Sequence, residues 1–458
     1  MKNLKFKSIS MKKINIVIIA IFITTSLCVQ TQAQRVKVNR NIPERQEWLR
    51  DLGFGMFIHW GIDSQLGIVI SHSLVGASED YVNRYMNELP KTFDPTDFDP
   101  YKIAKQAKLA GMKYIVFTTK HHSGFCMWDT KTTSFNITNT AYQEDILKKY
   151  VDGVRKAGLA VGFYFSPEDF NFLHENNKTI RRFEMKLDED FLEEYREYVR
   201  RQTNELFSNY GKIDVFFIDG GYGELEATCA NEAWDLQPEL VITRGVVNTP
   251  ENRIPGEIND QLWETCMTMG TQWQYKPTND NLKSGGELIE KLIETRAKGG
   301  NWLLNIGLDP FGEIPDPETR NLTEVAAWYF INQEAILDVR PWVTTREENI
   351  WFTASKDRKD VYAIITGIPD WRRGTRKEFI LGSVQSTPQT KISVLGENHK
   401  VIEYRPKTDP KAYFTQTEDG LQISVVRGQS VYKDRHWPNP IVVKLENIEP
   451  SDDFTANK

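Results

Sequence analysis

Cysteine is scarce in this chain. There are 4 in 458 residues, and their spacing fits neither a disulfide framework nor a zinc site. Basic residues are not in excess: 57 Lys and Arg stand against 63 Asp and Glu, a net charge of -6. That balance argues against a nucleic acid as the main partner. There is no Gly-rich phosphate loop and no lysine placed as an obvious Schiff-base former. Internal repeats and low-complexity segments are also missing. No cofactor is expected, so the chemistry must come from ordinary side chains.

Only one apolar run stands apart, at residues 14–24. Lys12 and Lys13 precede it, and Thr31-Gln-Ala33 supplies small residues for cleavage. The run is shorter than the roughly 20 residues a membrane helix needs. Residues 1–33 therefore read as a signal peptide of an exported protein, periplasmic or secreted, with no stable membrane insertion. A lipid anchor at Cys28 is the lesser alternative, since Leu27 stands where a small residue would be expected. Cys126, Cys229 and Cys266 remain after cleavage.

What is present is an ordinary globular composition, 40% hydrophobic and 26% charged, rich in aromatics at 12%. From about residue 50, short apolar runs alternate with helical segments. Strands are expected over 54–60, 114–118, 159–165, 213–218, 240–243 and 302–306. Helices are expected over 97–110, 144–157, 190–210, 287–298 and 318–332. This alternation predicts an α/β fold, a (β/α)8-like barrel over residues 40–340. After Arg340-Pro-Trp the pattern changes to short β-rich runs, such as 361–366, 391–395, 421–426 and 441–445, separated by turn residues. These predict a C-terminal antiparallel β-sandwich over 343–450.

Asp219 closes the apolar run Ile213-Asp-Val-Phe-Phe-Ile-Asp219, and two glycines follow it. A carboxylate there either hydrogen-bonds the turn or faces a pocket as a nucleophile or acid/base. The barrel reading puts other capable residues beside it. His59 and Trp60 end the first strand; Lys120, His121 and His122 follow the second; Tyr164, Glu168 and Asp169 lie at or just past the third. Arg244 ends the fifth strand, Glu264 is assigned to a sixth, and Asn305 closes the last. Barrel enzymes build their sites on that face. Histidine, aromatic, carboxylate and Arg side chains suit a polyhydroxylated ligand, and a carboxylate pair suits glycoside hydrolysis.

Each residue also has a structural reading. His59 could be a satisfied core histidine, and His121-His122 a helix start. Trp128 could be packing, Glu79 a solvated loop charge, Arg244 a rim salt bridge, and Glu264 a buried structural carboxylate. A metal-dependent amidohydrolase-like barrel is a rival, with His59, His121, His122 and Asp219 as ligands. It is disfavoured because the first strand offers one histidine where those enzymes show His-x-His. A non-catalytic sugar-binding protein on a hydrolase scaffold is a second rival.

Five segments together resemble the α-L-fucosidases of glycoside hydrolase family twenty-nine. They are Phe54-Gly-Met-Phe-Ile-His59-Trp-Gly61, Lys120-His-His-Ser-Gly-Phe125 with Trp128-Asp129, Gly162-Phe-Tyr164-Phe-Ser166, Phe217-Ile-Asp219-Gly220 and Asn301-Trp-Leu-Leu-Asn305-Ile-Gly307. They run in family order across about 50–340. The resemblance implies a retaining exo-glycosidase, needing no cofactor or metal, that removes terminal α-L-fucose from fucosylated glycans. It implies Asp219 as nucleophile, and His59, His121 and His122 as ligands of the sugar hydroxyls. It also implies pocket roles for Tyr164, Arg244, Phe217, Trp128, Trp263 and the loop acid Glu79. Thr249-Pro-Glu251-Asn252 resembles a motif that carries the acid/base in one branch, so Glu251 is favoured, with Glu264 the runner-up and Glu257 third. The chain departs from the family pattern at Ser123, Asp80 and Phe217. The Thr-Pro-Glu segment leans toward a preference for α-1,3/1,4-linked fucose.

Overall fold

The computed structural model describes residues 38–182, 187–220, 224–368, 371–431 and 439–452. The expected signal peptide, with Cys28 and Ala33, lies outside them. The first half is built on seven strands: β1 (Phe54–His59), β2 (Tyr114–Lys120), β3 (Ala160–Phe165), β4 (Val215–Ile218), β5 (Val241–Ile242), β6 (Glu264–Thr268) and β7 (Asn301–Gly307). They form one curled parallel sheet in the order β5-β4-β3-β2-β1-β7-β6.

The apolar runs are continuous because the sheet is buried on both faces. Successive side chains alternate between two cores. Met56, Ile58, Ile115, Phe117, Phe216, Ile218, Leu304 and Ile306 belong to the outer core, shared with the helices. Phe57, Val116, Tyr164, Val215, Phe217 and Leu303 fill the inside of the curl. Gly55 lies on the inner face, and a Cβ there would come within 2.5 Å of the Tyr114 ring. The absent side chain makes room for that tyrosine.

The expected barrel is present as seven strands rather than eight. The chain turns after β5, where Val246 and Val247 N–H both donate to the Thr243 carbonyl. It then runs beside β6, with bridges at Asn248–Trp263 and Glu251–Cys266. Glu264 N–H donates to the Asn248 carbonyl at 3.1 Å, and Cys266 N–H to the Pro250 carbonyl at 3.2 Å. Pro250 is tolerated because the pairing uses only its carbonyl. Segment 248–252 thus occupies the closing position of the curl.

Helices Pro100–Leu109, Ile146–Ala157, Glu189–Asn209, Gly285–Ala297 and Asp316–Asn332 cover the outside. Asp99, Asp145, Asp188 and Ser284 cap four of them by accepting a backbone N–H three residues on. Helices Pro43–Leu52, Glu79–Asn87, Leu89–Thr92, Phe170–Glu175 and Glu224–Leu236 were not expected from the sequence. In Glu224–Leu236 the buried face mixes small Cys229, Ala230 and Ala233 with Leu225, Trp234 and the acidic Glu226, which weakens its periodic signal.

Antiparallel strands follow: β8 (Arg340–Glu347), β9 (Ile350–Ala354), β10 (Val361–Ile365), β11 (Arg376–Leu381), β12 (Val384–Val394), β13 (Tyr413–Thr417), β14 (Gly420–Val426) and β15 (Ile441–Pro450). They make a five-stranded sheet, β12-β15-β10-β9-β8, and a three-stranded sheet, β11-β14-β13. Trp342, Phe352, Trp371, Ile423 and Leu445 pack in the core between them. This β-sandwich is tied to the barrel. The Trp328 indole donates to the Pro440 carbonyl at 2.8 Å, and Arg340 pairs with Asp51 at 2.9 Å. Among the described residues, no helix is long and apolar enough to cross a membrane.

Candidate active site

The period-2 alternation that fills the barrel also aims its strand ends. Val215 and Phe217 point inward, so Asp219, two residues on, continues the same face. Phe57 and His59 on β1 repeat the pattern. The result is a pocket of about 400 Å³ at the C-terminal ends of the strands. His59, His121, His122, Tyr164, Phe217, Asp219, Arg244 and Glu251, all expected from the sequence, line it. Phe57, His72, Arg182, Cys266 and Trp273 line it as well.

Asp219 is the centre of the polar contacts. Its Oδ2 accepts the Tyr164 hydroxyl at 2.7 Å, and its Oδ1 lies 3.2 Å from Arg244 Nε. Burial alone would raise its pKa. Arg244, the Tyr164 hydroxyl and Arg182 outweigh that and bring it down to about 2. The group is therefore an anion at neutral pH despite its burial. The same Arg244 uses Nη1 to hold Glu251 Oε2 at 3.1 Å. One guanidinium thus spans both carboxylates. Glu251 is the more exposed of the two, at 41% against 16%. It sits at the mouth, and Asp219 sits at the floor.

The histidines are uncharged hydrogen-bonding groups. Asn305 donates through Nδ2 to the Trp273 carbonyl, which fixes its carboxamide and leaves Oδ1 to accept from His59 Nδ1 at 2.6 Å. His59 Nε2 then carries a lone pair for a hydroxyl. Burial pushes the His59 pKa down to about 4, against the opposing pull of Asn305 and Asp219. Burial also holds His121 and His122 well below the usual imidazole range. His121 stacks on Tyr164 with a 4° interplanar angle, and its Nδ1 lies 2.9 Å from Ser71 Oγ. Trp273 closes one side, 5.0 Å from the His59 ring. The floor thus combines acceptors for hydroxyls, aromatic faces and one anion.

Five expected site residues are not brought to the pocket. Glu79 is 74% exposed in the first turn of Glu79–Asn87, paired with His174 at 2.9 Å. Its place in the loop after β1 is taken by His72. Trp128 is buried, its indole donating to Glu205 at 2.9 Å. Trp263 is buried too, and its indole reaches the Lys298 carbonyl at 3.3 Å. Glu264 opens β6 instead of ending it, so it lies at the opposite end of the barrel from Asp219. There its Oε2 accepts the Tyr114 hydroxyl at 2.5 Å, and burial pushes its carboxyl up to about 7. Glu257 lies on the exposed loop after Glu251, outside the pocket wall.

His72, Arg182 and Trp273 were missed because they sit on long loops, where strand-end logic gives no register. One signal was available for Trp273. With β6 ending at Thr268 rather than near Glu264, the loop that follows at the rim carries this tryptophan.

His121, His122 and Asp219 offer ligand atoms within 4.8 Å of one another and could hold a metal ion. The neighbours favour a different use. Arg244 already faces Asp219 Oδ1, and both Arg244 and Arg182 lie close enough to depress its pKa. Two guanidiniums repel a divalent ion and stabilise a bare carboxylate.

The family model described as Alpha-L-fucosidase matches residues 24–334. An α-L-fucosidase of Dictyostelium discoideum is 28% identical over 363 residues, covering 70% of this chain and 78% of that protein. A tissue α-L-fucosidase of Mus musculus is 28% identical over 397 residues, covering 76% of this chain and 83% of that protein. Among solved structures, α-L-fucosidase isoenzyme 1 from Paenibacillus thiaminolyticus superposes with a TM-score of 0.70 at 27% identity. It covers 89% of this chain and 99% of its own. Because the family match spans well over half of the 458 residues, this chain belongs to the α-L-fucosidase family.

Proposed function

We propose that the chain is a retaining exo-glycosidase that releases terminal α-L-fucose from fucosylated glycans. The observation that carries this reading is Asp219, an anion at the floor of a pocket of neutral imidazoles, sharing Arg244 with a second carboxylate at the mouth. In the first step a carboxylate oxygen of Asp219 attacks the anomeric carbon. The glycosidic C–O bond breaks, and Glu251 gives its proton to the departing oxygen. In the second step water attacks the fucosyl ester and passes a proton to Glu251. The ester C–O bond breaks, and fucose leaves with its anomeric configuration retained. Retaining pairs stand ~5–5.5 Å apart. Arg244 reaches Asp219 with Nε and Glu251 with Nη1, which keeps both carboxylates on one side chain at the same pocket.

His59, His121 and His122 bind the sugar hydroxyls in this reading, and Phe57, Phe217 and Trp273 supply faces for its apolar side. Glu264 is not the acid, since the barrel core separates it from the pocket. The Thr249-Pro250-Glu251 segment supports a preference for α-1,3/1,4 linkages. The basic, apolar and small-residue pattern of residues 1–33 supports export with cleavage after Ala33, which N-terminal sequencing of the mature protein tests.

The decisive experiment is a panel of 4-nitrophenyl glycosides, extended to fucosylated oligosaccharides of defined linkage. Turnover of the α-L-fucoside above all others is expected. Binding of fucose without turnover of any substrate would instead favour a sugar-binding protein.

A further inference from the structure

Beside the pocket floor the lining residue Arg182 pairs with a buried carboxylate that takes no direct part in the proposed reaction. Glu168 is fully buried, and its Oε2 lies 2.9 Å from Arg182 Nε and 3.4 Å from His122 Nδ1. On its other side His122 offers Nε2 at 3.8 Å from Asp219 Oδ2. One imidazole therefore spans a buried carboxylate and the proposed nucleophile. Its orientation is fixed. Nδ1 lies 2.6 Å from Ser166 Oγ, and that hydroxyl donates onward to the Glu168 carbonyl. The proton consequently sits on Nδ1 of the neutral ring, and Nε2 keeps a lone pair toward the pocket.

An imidazole between two carboxylates ordinarily takes up a second proton. Here that would be costly for catalysis. An imidazolium Nε2–H would pair with Asp219, blunt it as a nucleophile and leave no acceptor for a sugar hydroxyl. The guanidinium of Arg182 offsets Glu168. The other groups facing His122 are Arg244 beyond Asp219, His72 from the loop after β1, and His121 and His59 alongside. Burial and then Arg182 lead the causes that hold its pKa down.

We propose that Arg182 and Glu168 are positioning residues for this reaction, Arg182 neutralising Glu168 so that His122 meets the substrate as an uncharged acceptor and Asp219 stays free to attack. This rests on the fucosidase reading above. Arg182 comes from the segment between helices Phe170–Glu175 and Glu189–Asn209, so a connection outside the strand ends tunes the floor.

The test is kcat/KM against pH for an aryl α-L-fucoside, together with 15N NMR titration of the imidazoles, His122 being assigned with a His122→Gln variant. Arg182→Gln should move the acidic limb upward by about one pH unit, roughly a tenfold loss on that limb. It should raise the His122 titration in parallel. Arg182→Lys and the double variant Glu168→Gln/Arg182→Gln should both return toward wild type, because each restores the charge balance at His122. Glu168→Gln alone should leave the limb in place or lower it. An unmoved limb and an unmoved His122 titration in Arg182→Gln overturn the proposal. So does a double variant no better than Arg182→Gln, or an upward shift in Glu168→Gln. If the wild-type protein turns over no fucoside, the reaction reading fails separately, while the NMR titration still decides the pairing.

Discussion

Asp219, partly buried, and Glu264, fully buried, are carboxylates at opposite ends of the same parallel sheet, and they behave in opposite ways. Asp219 follows β4 at the C-terminal end of the barrel, where Arg244, Arg182 and the Tyr164 hydroxyl hold it as an anion down to about pH 2. Glu264 opens β6 at the other end. Its partners are the neutral Tyr114 and Thr243 hydroxyls, and burial outweighs them and pushes its pKa to about 7. The difference is which groups face each carboxylate: guanidiniums reach Asp219, whereas at the other end the buried Arg296 donates to backbone carbonyls and Asn301, and no cation leads the causes acting on Glu264. A strand-end carboxylate in a barrel is therefore informative only once the end is known.

The comparison can be broken most severely at Asp219. Asp219→Gly should lower kcat on an aryl fucoside by about 10⁴-fold or more, with partial rescue by azide, which can enter the vacated space. Ordinary turnover by this variant would mean that another group is the nucleophile. Glu251→Ala should cost about 10²–10⁴-fold on oligosaccharides, whose leaving groups need a proton. It should cost far less on 4-nitrophenyl fucoside. Equal losses on the two substrates would reopen the choice of acid.

Tyr164→Phe sharpens the electrostatic half of the comparison. It removes one donor from Asp219 Oδ2. Hydrogen bonds to charged groups contribute about 1.5–3 kcal/mol, so kcat/KM should fall roughly ten- to a hundredfold. The pKa of Asp219 is depressed, so losing a stabilising donor raises it. The acidic limb of the rate profile should move up with it, and a limb that stays put argues against Asp219 titrating there.

Glu264→Gln is the control, with activity expected within about twofold of wild type. Its effect should appear in stability. The folded pKa of about 7 lies above the ordinary value of 4.5. Wild type is therefore unpenalised below pH 4.5 and loses stability as pH rises toward 7, on the order of 3 kcal/mol in full. The neutral Gln escapes that loss. Thermal melts should show the variant gaining on wild type between pH 5 and pH 8, and parallel curves would refute the burial argument. The smallest expected effect is that of EDTA, which should leave turnover unchanged; a loss restored by added metal would revive the His121–His122–Asp219 cluster as a metal site.

The alternation of apolar runs and helices was legible in the sequence because each run had to bury both faces and each helix one stripe. β1, β2, β3, β4 and β7 fall within a few residues of their expected bounds, and His59, His121, His122, Tyr164 and Asp219 follow from where the first four of those strands end. Glu264 went astray for the same reason. Its segment has no clean apolar run, so the start of β6 was read as its end. Trp128 and Trp263 show a different limit. A tryptophan beside a site motif is rich in apolar area, and packing claimed both before the pocket could.

By itself the sequence determined β1–β5 and β7 and the chemical groups that stand at their C-terminal ends. These follow from local periodicity and apolar content, properties of neighbouring residues. Only the tertiary structure decided the rest. It brought Glu251 beside Asp219 on one guanidinium by pairing segment 248–252 with β6, and it swung His72 and Arg182 in from loops far apart in the chain. It also sent Glu264 to the bottom of the barrel. Those outcomes depend on how the sheet closes and where long loops land, and closure is set by contacts between residues that no local pattern relates.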